Sequence, residues 1–433
     1  MLNALLSLLS YPIYLHYLGY QEYGVWLALS TVLTFAQLGN LGLNPAVSKL
    51  VAESHGLNDL PGLQRCITAA WLTVSLAGAA AFSIVITLKH QIISVFRLTG
   101  DDANLMSRLL PYIALFSAYI FIVELLNAVL VGLGRTDLES YYRTISQSIA
   151  VLLSALLLWS GCGVVSLLLG NAIAYVTMHL LGFLTVRRTL GIRLLTVHNL
   201  SFGRLSSMLR FGGWIFGGSL LNMTLSPLNR ILISRYAGIA ALPVYEIAFS
   251  SSMRVRSLLE SGIRAMMPEI SRISAPITKK TLKRAATLER SGFRLIRNVG
   301  IPLYTLLILF AGPLLRIWLR TRFQSEFPAV FRIMLAGSFF SLLCVPGYYI
   351  LMGLGDAKSC FITSAIQWCA SFSFIALAFV ATGKVSLISV SVSVAVGISL
   401  CCGYVLWKID RIAGGAPVPA HLSSDVSLSG TPR

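Results

Sequence analysis

Residues 3–19 read NALLSLLSYPIYLHYLG, and residues 222–238 read NMTLSPLNRILISRYAG. Asn3, Ser7, Ser10, Tyr17 and Gly19 of the first stretch meet Asn222, Ser226, Asn229, Tyr236 and Gly238 of the second, each 219 residues later. The spacing recurs further along. Gly132-Leu133-Gly134 meets Gly353-Leu354-Gly355 after 221 residues, while Gln147 meets Gln367 and Gly42 meets Gly262 after 220. One such match means little in a leucine-rich chain. A constant offset near half of 433 residues reads as an internal duplication.

Composition says what is duplicated. Hydrophobic residues make up 56% of the chain, charged residues 12%, and the mean hydropathy is +0.78. A water-soluble globule carries about 25% charged residues, so this chain cannot cover an aqueous surface. It reads as an all-α polytopic membrane protein. The net charge of +18 would point to nucleic acid in a soluble chain; here it points to basic cytoplasmic loops facing anionic lipid.

A bilayer core takes about 20 apolar residues per helix. By that measure the sequence predicts twelve spans, at 2–18, 24–50, 66–88, 109–133, 144–160, 164–186, 210–236, 239–265, 298–319, 328–354, 357–381 and 385–407. The duplication makes them two pseudo-symmetric six-helix bundles. The N-terminal bundle takes residues 1–190, a basic cytoplasmic linker 191–209, the C-terminal bundle 210–410, and a Gly-, Pro- and Ser-rich disordered tail 411–433. The first span begins at Leu2 without a basic lead-in, which leaves room for a preceding stretch; it carries no cleavable signal pattern. With both termini inside, 22 of the 34 Lys and Arg fall on the cytoplasmic side, 8 on the other and 4 within spans, the asymmetry expected for that orientation. Six of seven tryptophans sit near span ends, at headgroup depth. Parallel repeats of this kind place a substrate site where the halves meet and suit rocking between two openings.

The polar residues inside the spans are the candidates for function. Gln37, Asn40, Asn44 and Ser48 share one face of span 2; Ser219, Asn222, Ser226 and Asn229/Arg230 share one of span 7; Glu246, Ser250, Arg254, Ser257 and Ser261 share one of span 8. Ser and Asn alone would be helix–helix glue. Charges decide the matter. An Arg at bilayer depth costs about 2.5–3.5 kcal/mol on the insertion scale, so Arg230, Arg235, Arg254 and Arg256 must face a cavity, pair or snorkel. Arg235 is near enough to the span end to snorkel. Arg230 and Arg254 are the substrate-binding candidates, with Asn222, Asn229, Asn40, Asn44 and Gln37 beside them. Glu124 is either a neutral carboxyl hydrogen-bonded to Asn127 or Tyr119, or a proton site; with Glu246 it is a candidate for coupling transport to H+ or Na+. Glu260 lies nearer the cytoplasmic end, and His179 reads as a packed polar residue. Seven scattered cysteines and six histidines give no metal-ligand spacing and read as reduced thiols and packed side chains. Neither a nucleotide loop nor a catalytic set is present, so no cofactor and no enzyme activity are expected.

Two runs carry a family resemblance. Tyr17-Leu18-Gly19-Tyr20-Gln21-Glu22-Tyr23-Gly24-Val25-Trp26, followed by Leu38-Gly39-Asn40-Leu41-Gly42-Leu43-Asn44-Pro45-Ala46-Val47-Ser48-Lys49, resembles the start of polysaccharide flippases of the O-antigen transporter (Wzx) type. These belong to the multidrug/oligosaccharidyl-lipid/polysaccharide exporter superfamily, and the Gly-Leu-Gly ending span 4 is similar to that family as well. The family usually has Asp where this chain has Asn40, which removes a proton-carrying group there, and Arg where it has Lys49. The resemblance implies a flippase of the bacterial inner membrane moving a polyprenyl-diphosphate-linked glycan. Its partners would be membrane lipids, with a polysaccharide polymerase and a chain-length regulator as further candidates and no nucleic acid. A diphosphate needs cations, which the Arg-bearing stripes supply. Two alternatives stand beside it. An ion-coupled multidrug exporter of the same superfamily would favour acids in the cavity. A membrane-embedded glycan polymerase or ligase would need a sizeable outer loop.

Overall fold

The computed structural model describes residues 2–37, 43–57, 59–190, 213–264, 292–353 and 356–413. Asn40, the 191–209 linker, most of the basic 266–297 connection and the tail beyond Ala413 lie outside the described residues. Among the described residues there are fourteen α-helices and no strand. They are α1 (Leu2–Gln37), α2 (Leu43–Gly56), α3 (Leu60–Thr87), α4 (Lys89–Val95), α5 (Gly100–Gly132), α6 (Thr136–Trp159) and α7 (Val165–Leu190). After the linker come α8 (Gly213–Ala237), α9 (Leu242–Arg264), α10 (Ile301–Leu309, preceded by a π turn Ile296–Gly300), α11 (Ala311–Leu319), α12 (Phe327–Gly353), α13 (Ala357–Thr382) and α14 (Leu387–Ala413).

Eight described helical segments are long and apolar enough to cross a membrane: α3, α5, α6, α7, residues 292–309, α12, α13 and α14. The other four predicted spans fall on α1 with α2, on α8 and on α9. These are helical too, but broken or more polar, and they are the helices that carry the polar stripes.

The chain forms two compact units, Met1–Phe216 with Met223–Pro243, and Gly217–Asn222 with Val244–Arg433. In the first, α5 is buried along most of its length against α1, α2, α3 and α7, around Val47, Leu63, Val74, Phe121, Leu125 and Val129. In the second, α12 and α14 pack around Ile350, Leu351, Cys402 and Val405. Gly170 of α7 sits so close to Ser154 and the Ala150 carbonyl of α6 that a Cβ there would collide with them, and Gly397 of α14 meets Ser371 and the Gln367 carbonyl of α13 likewise. Small residues at such contacts let backbones approach where lipid gives no hydrophobic drive.

The duplication extends to backbone angles. Gly19 breaks α1 at φ 68°, ψ −172°, and Gly238 separates α8 from α9 at φ 90°, ψ 158°. That region is essentially closed to residues with a Cβ, so glycine at both positions follows from geometry. Leu88 ends α3 at φ −91°, ψ 13°, and Phe310 ends α10 at φ −92°, ψ 12°; each is followed by a short helix. Those short helices end at Arg97 (φ 52°) and Arg320 (φ 48°), the two non-glycine residues with positive φ among the described ones.

Three predicted boundaries need correction. Span 9, read as one stretch over 298–319, is two helices that part at Phe310, where Pro313 offers no N–H to the Leu309 carbonyl and the backbone repeats the break at Leu88. The 89–108 connection is largely helical: α4 fills its start, and α5 begins at Gly100, with Asp101 and Asp102 in its first turn complementing the helix dipole. α6 begins at Thr136 rather than 144, again with two acids, Asp137 and Glu139, in its first turn.

Candidate functional site

The polar stripes lie on α1, α2, α8 and α9. The first part of α8 belongs to the second unit, where Asn222 Nδ2 donates to Ser364 Oγ at 2.9 Å. Asn222 therefore ties α8 to α13 in this structure. The remainder of α8 belongs to the first unit and is stitched to it at three points. Arg230 donates from a guanidinium N–H to Ser30 Oγ on α1 at 3.0 Å, and Ser234 Oγ donates to the Phe96 carbonyl at 2.8 Å. Arg97 lies over the Tyr236 ring at 5.6 Å. Just beyond, Gly24 of α1 presses so close to the Ile239 carbonyl that any side chain there would clash. Asn229 is buried and Arg230 half-buried.

On α2, Ser48 Oγ donates to the Ala128 carbonyl of α5 at 2.8 Å, a packing role. Asn44 is half-buried, and its Oδ1 is enclosed with no hydrogen-bond partner among the described residues. An enclosed amide oxygen without a donor has lost its water, which makes Asn44 receptive to a hydroxyl. The Gln37 side chain is outside the described set.

On α9, Glu246 is buried and accepts from Ser250 Oγ at 2.9 Å. Arg254, two turns on, has an enclosed Nε with no hydrogen-bond partner among the described residues. Arg256 is committed elsewhere. It pairs with Glu260 at 2.6 Å and donates to Ser341 Oγ at 2.7 Å, and Tyr349 donates to the other Glu260 oxygen at 2.7 Å. Of the span arginines, Arg256 is committed to a carboxylate and Arg230 to a hydroxyl, while the Arg254 Nε has no hydrogen-bond partner among the described residues.

Glu124 departs from its sequence reading. Neither Asn127 nor Tyr119 binds it: Asn127 Nδ2 faces Met178 Sδ at 4.0 Å, and Tyr119 stacks on His179 at 5.5 Å. Glu124 lies 3.7 Å from Arg143, which also pairs with Glu139 at 2.6 Å. Arg143 precedes the apolar run of span 5 by one residue, so hydropathy alone does not show that it lies on a helix. The four-residue spacing of Glu139 and Arg143 was the available signal for a helix there. Nothing in the sequence linked Tyr349 or Ser341 to Arg256 and Glu260. His179 is packed between the Tyr119 and Phe183 rings. All seven cysteines are free thiols, five buried and Cys162 and Cys369 exposed.

The sequence profile described as "Polysaccharide biosynthesis protein" matches residues 1–274, well over half of the chain. The chain belongs to that family. Among relatives of this polysaccharide biosynthesis protein is one from Shigella flexneri named "Putative O-antigen transporter", 20% identical over 395 residues and covering 91% of each chain. Among solved structures, an inward-facing multidrug resistance MATE family transporter of the MOP superfamily superposes with a TM-score of 0.72 at 16% identity, covering 96% of both chains. An outward-facing MATE transporter of the same superfamily gives 0.61 at 16% identity, covering 98% of this chain and 93% of the other. The polysaccharide biosynthesis family member therefore has the fold of MOP-superfamily transporters. Its relatives are transporters rather than enzymes.

Proposed function

We propose that the protein is a flippase that moves a polyprenyl-diphosphate-linked oligosaccharide across the bacterial cytoplasmic membrane by alternating access, supplying synthesis of a surface polysaccharide such as O-antigen, capsule or exopolysaccharide. The observation that carries this reading is Arg230, a guanidinium on a sequence-predicted span that hydrogen-bonds Ser30 of α1, in a chain of the polysaccharide biosynthesis family. Such a charge costs about 2.5–3.5 kcal/mol there, and a diphosphate is the substrate group that repays it through bidentate, charge-assisted bonds. Arg254 supplies a second cation. Asn44, Asn229, Asn40, Gln37 and, when it leaves Ser364, Asn222 supply amides for sugar hydroxyls.

The multidrug-exporter alternative is less well supported. Its substrates call for carboxylates, whereas Glu124 and Glu260 each face an arginine and Glu246 accepts from a hydroxyl. The positive-inside rule, applied to the basic connections, supports both termini in the cytoplasm. Membrane lipids, a polymerase and a chain-length regulator are the partners this reading calls for, with H+ or Na+ as the coupling ion.

The test is flipping of a labelled polyprenyl-diphosphate glycan in vesicles. Arg230→Ala and Arg254→Ala should each slow it at least tenfold with the protein still in the membrane. Lys replacements should recover part of the rate, since Lys keeps the charge and loses the fork. Undiminished flipping in both Ala variants would overturn the anionic-substrate reading.

A further inference from the structure

Within the first unit, α1, α3, α4, α5 and α8 border an open-sided cavity of roughly 630 Å3. Its wall is almost wholly apolar, with Thr31 and Gln91 as the polar side chains. Ala77, Ala80 and Ala81 make the space: they share one face of α3 at three- and four-residue spacing, where larger residues would fill it. A concave, almost wholly apolar space of this size is the form that ligand sites take. Its wall offers ordered water few of the two to four polar partners that water needs. The cavity is open along Ile84, near the end of the apolar helix α3, and Leu88 and Val95, at the two ends of the short helix beyond it, three exposed apolar residues.

A cation lies one residue along the chain from the wall. Thr31 and Ile231 line the cavity, and their chain neighbours Ser30 and Arg230 are joined by the 3.0 Å hydrogen bond. The same region thus offers hydrocarbon-sized apolar space and a guanidinium. The complementary ligand is a long hydrocarbon chain that ends on a phosphate.

We propose that this cavity receives the isoprenoid chain of the polyprenyl diphosphate, with its phosphate end toward Arg230, a proposal that rests on the flippase reading above. The chain reaches the space sideways from the bilayer through the gap beside Ile84 and Leu88, so the lipid end of the substrate need not cross a polar path. Thr31 and Gln91 contribute little to binding, and selectivity over ordinary phospholipids comes from the chain.

The experiment is photo-crosslinking of the full-length protein in nanodiscs with a sugar-free polyprenyl diphosphate bearing a diazirine in its chain, followed by peptide mapping. Adducts are expected within residues 77–96. Excess unlabelled polyprenyl diphosphate should displace them, and the same amount of phosphatidylglycerol should not. Ala80→Phe, which fills the cavity, should lower labelling at least fivefold, and Ala80→Val by a smaller factor. Both variants are compared with the parent in thermal unfolding, so that the milder one decides if the larger fails to fold. Displaceable adducts confined to other helices, unaffected by either variant, would remove the chain from this cavity and leave the flippase reading standing. Equal displacement by phosphatidylglycerol would give the cavity to ordinary membrane lipid. Absence of any displaceable adduct would end both readings.

Discussion

Helix α1 in the first repeat and the α8–α9 pair in the second are the same piece of backbone used twice. Both turn on a glycine with φ near 70–90°, and both run on into a stretch with polar residues on one face. Their charges differ. At 219 residues before Arg230, Arg235, Glu246, Arg254, Arg256 and Glu260 stand Tyr11, His16, Leu27, Phe35, Gln37 and Leu41. The first copy makes its turn without a single Arg or Glu at these places, so the charges of the second are not needed to make the turn, although Arg256 and Glu260 then tie α9 to α12. A repeat that keeps its geometry and places charge in one copy separates what folds the chain from what it handles.

The comparison can be broken most forcefully at Arg256. Removing one partner of a buried, hydrogen-bonded ion pair costs about 3–5 kcal/mol, because the other charge is left in apolar surroundings. Arg256→Ala should destabilise the detergent-solubilised protein by about that much, and Arg256→Met with Glu260→Leu should recover most of the loss, since apolar replacements of similar size stand in well for such pairs. A silent single variant would show that this network does not hold α9 to α12.

The glycine turns sharpen the shared half of the comparison. Gly19→Ala and Gly238→Ala each force a Cβ into a backbone region worth about 1–3 kcal/mol of strain. No atom lies within 4 Å of a Cβ on Gly238, so the loss there is conformational rather than steric. The two variants should lower chemical-denaturation midpoints by similar amounts; a large effect at one glycine alone would mean that the turns are not equivalent.

The smallest effect on stability is expected at the carboxylates. Arg143, facing Glu124, is half-exposed at 50%, and exposed pairs contribute about 0–1 kcal/mol, so Glu124→Gln should unfold close to the parent. The informative measurement is proton-gradient-dependent flipping in vesicles. If one acid in each repeat biases the transport cycle, Glu124→Gln and Glu246→Gln should both stall turnover while keeping substrate binding, because a site moves a conformational balance only through its different free energy in the two states. Unchanged gradient dependence in both removes these acids from coupling.

Much of this was legible in the sequence because membrane chains write their fold in apolar run lengths, and the two glycines and the Gly-Leu-Gly ends marked the repeat. The break at Phe310 was hidden because the hydropathy runs through it without interruption, and Pro313 alone does not mark it, since Pro111 and Pro346 sit inside unbroken helices. The helical start of α5 was hidden because Asp101 and Asp102 look like loop residues until the dipole is considered. Arg230 and Arg254 stood out by the cost of charge in lipid. Their surroundings did not: Ser30 precedes Arg230 by 200 residues, and no local pattern announces such a contact. The packing of Asn222 on Ser364, 142 residues later, was hidden for the same reason.

The Arg256–Glu260 network also sets an order of events during synthesis. Ser341 and Tyr349, which complete it, lie 85 and 89 residues further along the chain than the groups they bind. At about 5–20 residues per second, α9 leaves the ribosome on the order of ten seconds before α12 exists to receive it. Through that interval Arg256 and Glu260 have each other but lack the hydroxyls of Ser341 and Tyr349, and α9 is not among the described helices long and apolar enough to cross a membrane. The helix must wait at the interface or within the insertion machinery. The step that commits the second half of the protein to the bilayer is therefore the arrival of α12, not the emergence of α9 itself.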